Sequence, residues 1–206
     1  RGGGITPGGV AHAGAASPPR AQTLPRAPAA REGAGGRADV LPVLRLDEAG
    51  EAWPFIFKRC GQTWGARLAR RLDREFQLLQ QKALGDLVLS DFLQVVRLYF
   101  AGHGWGVLEI HVEQAQQNGV VEASLRESIF AEVIPAGEEM VDSMMAGILA
   151  SLIGHLAGRE LDCVQTVCSS SGAPVSRFVI TAPERLTDAS AKIRSGVRHE
   201  DLVAAL

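Results

Sequence analysis

Three cysteines and five histidines are the residues of this 206-residue chain most suited to chemistry. Cys163 and Cys168 are the nearest pair of thiols. Thiolates hold a metal only when further ligands meet them at fixed geometry. An odd spacing along a strand also puts these two side chains on opposite faces, unless a bulge intervenes. Cys60, His155 and Asp162 join them only if the fold gathers all three. The spacing lacks the usual paired-ligand signature, so the plain reading is two small, reduced, mostly buried thiols. His12, His103, His111, His155 and His199 stand in no nucleophile motif. His103 lies in a glycine turn. His155 ends an apolar stretch, where its charged form suits a helix dipole.

Other motifs are weaker still. Glu109 and Glu113 share one face of an expected strand, which reads as a solvated face. Gly102-x-Gly104-x-Gly106 precedes a strand rather than a helix and so fails the dinucleotide fingerprint. Ser169-Ser170-Ser171-Gly172 is a loop between strands, not the strand-to-helix elbow of a hydrolase. No acid/base or nucleophile constellation emerges, so no catalytic residue is assigned and the chain reads as a non-enzyme. What remains is apolar. Trp64, Phe92, Tyr99 and Trp105, with Phe130, Met144, Met145 and Ile148, are placed to line one interior. Most such residues simply make a core. The soft pair Met144-Met145 beside Ala146 and Gly147 is what points to an enclosed pocket for a small hydrophobic ligand.

Composition sets the frame for these residues. Lys and Arg number 21 and Asp and Glu 23, for a formal net charge of −2. Such a balance argues against a general nucleic-acid binder, which would carry a basic face. An odd number of widely spaced cysteines argues for a reducing compartment, hence a cytoplasmic location. Neither a signal-peptide core near the start nor a run of the ~20 apolar residues needed to span a bilayer is found. Residues 1–38 are mostly Gly, Ala, Pro and Arg and cannot bury enough apolar area to offset ordering entropy. They read as a disordered, basic, solvated tail.

The elements that must position the candidates follow in order. Val40 to Leu46 is a short apolar segment. From Trp53 a helical stripe of Phe57, Cys60, Trp64, Leu68, Leu72, Phe76 and Leu79 predicts a long helix ending near Gly85, with Arg67, Arg70, Arg71 and Arg74 opposite. Ser90 is the expected N-cap of a second helix, Asp91 to Phe100. Gly102-His103-Gly104-Trp105-Gly106 is a tight turn that brings a large ring close to backbone. Leu108, Ile110 and Val112 then alternate with Glu109, His111 and Glu113. Asn118-Gly119 signals a hairpin, returned by Val121, Ala123 and Leu125. A central helix is expected from about Glu138 to Leu156, stopped by Gly158. Its small residues Ala146, Gly147, Ala150 and Gly154 invite another backbone to approach. A second hairpin joins Leu161–Val167 to Ser176–Ile180. A weak helix lies in 188–206, within a C-terminal tail from 184. The expected fold is α+β, an antiparallel sheet of two hairpins packed with three main helices, over residues 39–183.

Three pieces of this pattern resemble the 4-vinyl reductase domain family, over about Phe55 to Thr181. One is the early helix with Cys60-Gly61 and Trp64-Gly65. The next is Gly102-His103-Gly104-Trp105-Gly106 entering a strand, followed by Glu127-Ser128-Ile129-Phe130-Ala131. The last is Cys168-x-x-x-Gly172-x-x-x-Ser176-x-Phe178 after an apolar helix, although the family usually has Cys at the place of Ser176. The resemblance implies the fold shared with TRAPP vesicle-tethering subunits and nitric-oxide-sensor ligand domains. It also implies a small apolar pocket, frequent homodimers, and a bacterial sensor or accessory role. The chain itself offers no DNA-binding or output motif, so a sensor role is expected to need a separate partner. Some members carry zinc near the pocket. Those ligand positions fall on Cys168, Ser176 and Gln165, where only Cys168 is a retained candidate, so no metal is carried over and no cofactor is expected. A weaker resemblance, to the D subunit of cellulose synthase complexes, implies a structural assembly subunit acting through oligomerisation.

Overall fold

The computed structural model describes residues 52–81, 89–134 and 140–206. The tail 1–38, the segment Val40 to Leu46 and the expected helix end at Gly85 lie outside the described residues. Helix α1 spans Trp53–Gln80 and closes on Gln81, whose φ of 55° is left-handed. Helix α2 spans Leu89–Gly102. Ser90 therefore sits inside its first turn rather than capping it. Strand β1 (Val107–His111) is joined to β2 (Val121–Arg126) through a single helical turn, α3 (Ala115–Asn118). Gly119 ends that turn at φ 72°, so the Asn118-Gly119 signal marks the reversal.

A short helix α4 (Ile129–Val133) follows, then the central helix α5 (Ser143–Ala157). This helix starts five residues later than the periodicity suggests, because Val141 and Asp142 are used before it as buried contacts. It stops at Gly158, whose φ of 62° lets its N–H bond back to Gly154 and His155. Strands β3 (Asp162–Val167) and β4 (Ser176–Thr181) complete one antiparallel sheet in the order β1-β2-β4-β3. Two short helices, α6 (Ala189–Arg194) and α7 (His199–Ala204), close the chain.

Register sorts the sheet into two faces. Leu108, Ile110, Ala123 and Leu125 are paired across β1 and β2, while Ala123 and Leu125 face Phe178 and Ser176 of β4. Cys163 and Gln165 lie opposite Ile180 and Phe178 on the same inner face. Against this face lies α5, and α1 covers the other side of α5. A helix buried on both sides has no polar stripe, and α5 has none until His155. On the outer face, Val120, Val179, Leu186, Ala189, Leu202 and Val203 form a second core under the C-terminal helices. The stretch beyond residue 184 thus packs on the sheet.

The approach of α1 to α5 rests on glycine. A Cβ on Gly61 would fall inside the carbonyl oxygen of Met144, and one on Gly147 inside that of Lys58. A Cβ on Gly65 would lie 2.9 Å from the Ile148 oxygen. Ser151 seals the crossing by donating to the Gln62 carbonyl at 2.8 Å. Partly buried Lys58 reaches Asp162 at 2.7 Å, and His155 reaches Asp73 at 2.7 Å. These pairs tie α1 to the start of β3 and to the end of α5.

Candidate functional site

The eight apolar candidates meet in one cluster. Phe92, Met145 and Ile148 are fully buried in the main core, and Trp64, Tyr99, Trp105, Phe130 and Met144 pack against it. Each arrives by a different device. Gly106, at φ 122°, would bring a Cβ within 2.5 Å of the Arg126 oxygen, so only glycine lets the turn close under β2. That closure holds Trp105 4.5 Å from Trp64, 5.2 Å from Phe100 and 5.8 Å from Tyr99, mostly edge to face. His103 stacks on Tyr99 at 3.9 Å and its Nδ1 meets the Tyr99 carbonyl at 2.9 Å. Its role in the turn is structural. Phe130 stands at the other end of the cluster, 6.4 Å from Phe57, beside a small core of Trp53, Ile134, Val141 and Cys168.

Outside the interior, an open groove of about 440 Å³ runs along α1. Phe55, Ile56, Cys60 and Trp64 line it with Thr63 and the arginines Arg59 and Arg67. Trp64 is thus shared between groove and interior. Cys60 is exposed here, so it departs from the buried stripe in which the helical period places it. The glycines Gly61 and Gly65 take inward positions beside it, while Leu68 and Leu72 are buried where the period places them.

The thiols do not gather. Cys163 is completely buried and its pKa is pushed far up by desolvation, which makes it inert. A bulge between Gln165 and Val167 interrupts β3, the condition under which the two buried cysteines need not oppose each other. Cys168 ends in the small core, with its Sγ 2.9 Å from the Ser170 hydroxyl. Among the described residues no group of three or more His, Cys, Asp or Glu side chains is placed to hold a metal ion. The zinc positions implied by resemblance do not fit zinc. Cys168 supplies a thiol, but Ser176 and Gln165 supply a hydroxyl and an amide, poor donors for this ion. Both are already engaged by Asp142.

Two polar clusters were not foreseen. In the first, the Asp142 carboxyl is fully buried and accepts from Ser128, from Ser176 at 2.5 Å and from Gln165 at 3.1 Å. Burial raises its pKa, and the hydrogen bonds from Ser128, Ser176 and Gln165 pull the other way without cancelling that effect. An acid just ahead of an apolar helix was the available signal. In the second, on the outer face, buried His199 meets Glu122 Oε2 at 2.7 Å and the Thr166 hydroxyl at 2.7 Å. Hydroxyl, imidazole and carboxylate in line suggest a nucleophile, yet Thr166 is buried beneath α7. The trio anchors that helix to the sheet. Glu109 pairs with Arg126 at 3.3 Å across exposed strands, as a solvated face should.

Residues 121–182, from β2 through β4, match the family model of the 4-vinyl reductase domain. No curated protein matches the chain by sequence. Among solved structures, the phenol-responsive sensory domain of the transcription activator PoxR, crystallised with phenol, is 17% identical. It covers 72% of this chain and 74% of its own, with a TM-score of 0.56. A trafficking protein particle complex subunit 3 from Naegleria fowleri, covalently bound to palmitic acid, is 13% identical. It covers 68% of this chain and 87% of its own at a TM-score of 0.51. A vinyl-4-reductase family protein from Methanocaldococcus jannaschii is 17% identical and covers 61% of this chain and 66% of its own, at a TM-score of 0.45. The resemblance read from the motifs holds, and the α+β fold is the one shared with 4-vinyl reductase domains and TRAPP proteins. Among the described residues no helix is long and apolar enough to cross a membrane.

Proposed function

We propose that this chain is a non-enzymatic ligand-binding module. It takes a small hydrophobic molecule into the interior between α1, α2, α5 and the sheet, in a sensor or accessory role in the bacterial cytoplasm, and works as a homodimer. One observation carries the reading: all eight apolar candidates, drawn from five separate segments, belong to a single cluster. The family match and the fold shared with a phenol-responsive domain and a palmitate-bearing subunit are consistent with it. Met144 and Met145 sit where α5 meets α1. Their flexible thioethers can yield space to a guest that stiffer side chains would refuse. Specificity toward an apolar guest needs only one or two polar contacts, and the partly buried Tyr99 and Trp64 supply them at the cluster edge.

Thermal unfolding with a panel of monocyclic phenols and long-chain fatty acids tests this reading. Ligand at a hundred times its Kd stabilises the folded state by about 2.7 kcal/mol, a shift of several degrees for a chain of this size. At least one panel member is expected to produce it. No shift with any member would exclude these ligand classes.

A second reading is an assembly subunit that acts through oligomerisation. The exposed apolar side chains of α1 favour it: Phe55 is 67% exposed and Ile56 49%. It requires a ring or larger closed assembly, which light scattering coupled to size exclusion separates from a dimer.

A further inference from the structure

We infer that Asp142, joined by Ser128, Gln165 and Ser176, is a metal-independent knot that fixes the start of α5 to the β3–β4 hairpin. A buried carboxylate is costly unless every lone pair finds a donor. Here the donors come from three parts of the chain. Ser128, the residue ahead of α4, donates to Oδ1. Ser176, the first residue of β4, donates to Oδ2 at 2.5 Å. Gln165, on β3, donates Nε2 to Oδ2 at 3.1 Å and accepts the Asp142 N–H on Oε1 at 2.9 Å.

The outer members of the knot are also satisfied. Gln165 Nε2 donates as well to the Val167 carbonyl at 3.2 Å. Ser176 Oγ accepts the Ser169 N–H at 3.1 Å, which leaves its own proton for Asp142. The relay therefore runs from the loop backbone, through a hydroxyl, to the carboxyl. The positive end of α5 begins at the same residue and offsets negative charge there. Joining three chain segments at one point is the task of a structural metal with four ligands. Neutral donors around a single acid perform it here, and two of them, Gln165 and Ser176, stand on positions that resemblance would give to zinc.

The knot is independent of the ligand reading and is tested without a ligand. The full chain, purified without chelator, is unfolded thermally in zinc sulfate and in EDTA, and its zinc content is measured. The knot predicts no stoichiometric zinc and one midpoint in both solutions. One retained equivalent of zinc, with a midpoint that falls in EDTA, would overturn it. Asp142→Ala strands three donors and is expected to lower the midpoint by about 5–10 °C. Ser176→Ala, a milder change that serves if Asp142→Ala does not fold, is expected to lower it by about 2–4 °C. Ser170→Ala, which touches Cys168 and not the carboxyl, leaves it unchanged. A wild-type midpoint in Ser176→Ala would overturn the assignment as surely as bound zinc.

Discussion

The middle and the start of α5 are held by opposite means. At the middle, Gly147 meets Gly61 across bare backbone, and close contact dominates, with one hydrogen bond from Ser151 to the Gln62 carbonyl beside it. At the start, a single buried acid gathers hydrogen bonds from two strands and a loop. Close contact is dense, non-directional and unforgiving of added volume. The knot is directional, spans distant segments and tolerates volume but not an unpaired donor. A module that admits a guest beside Met144 and Met145 needs both kinds of hold. Under the proposed function, the knot would hold the helix start in place while the apolar side chains around the middle made room.

The largest effect should come from breaking the close contact. Gly147→Ala or Gly61→Ala sets a methyl into a facing backbone carbonyl, and neither helix can withdraw by a rotamer change. A loss of more than about 4 kcal/mol, or no folded protein, is expected in urea unfolding. Gly102→Ala is the matched control. A Cβ there meets nothing within 4 Å at the end of a helix, so it should be neutral or stabilising by up to about 1 kcal/mol.

Acid sharpens the other side of the comparison. The folded-state pKa of Asp142 lies above its ordinary value of 3.8 because burial disfavours the charge. The folded protein then binds this proton more readily than the unfolded chain. Stability from this group therefore rises as pH falls through the raised pKa and levels off below 3.8. Asp142→Asn removes the titration while other carboxyls cancel in the difference. The wild-type midpoint should gain on that of Asp142→Asn between pH 7 and pH 4. A constant gap would contradict the buried acid.

The smallest effect on stability belongs to the exposed face of α1. Phe55→Ser with Ile56→Ser removes apolar surface that faces the groove and should change unfolding by no more than about 0.5 kcal/mol. Sedimentation at rising concentration should instead show weaker self-association. Unchanged association would exclude this face of α1 as the contact of the proposed dimer.

Much of the apolar half was legible in advance. Alternation at Leu108 and Ile110 and at Val121, Ala123 and Leu125 gave the inner face directly, since a strand repeats every two residues. Gly104, Gly106, Gly119 and Gly158 marked turns because each takes a positive φ. Cys60 misled, because periodicity weighs hydrophobicity and cannot see that the crossing demands Gly61 and Gly65 inward. Of the knot, only the acid ahead of an apolar helix was legible. Gln165 and Ser176 read as polar residues in strands, and only the register that sets them on the inner face, next to a helix start 23 residues earlier, makes them partners of Asp142. His199 was hidden in the same way, within a segment that looked like a weak tail.

The claim that the apolar interior admits a guest is tested most directly by native mass spectrometry of the intact chain. Protein purified without chelator would be measured alone and after incubation with phenol or palmitate. The account predicts a dimer that carries one added small molecule per chain, released on denaturation. A chain that stays bare at every ligand concentration, or that assembles into a closed ring without any adduct, would contradict it.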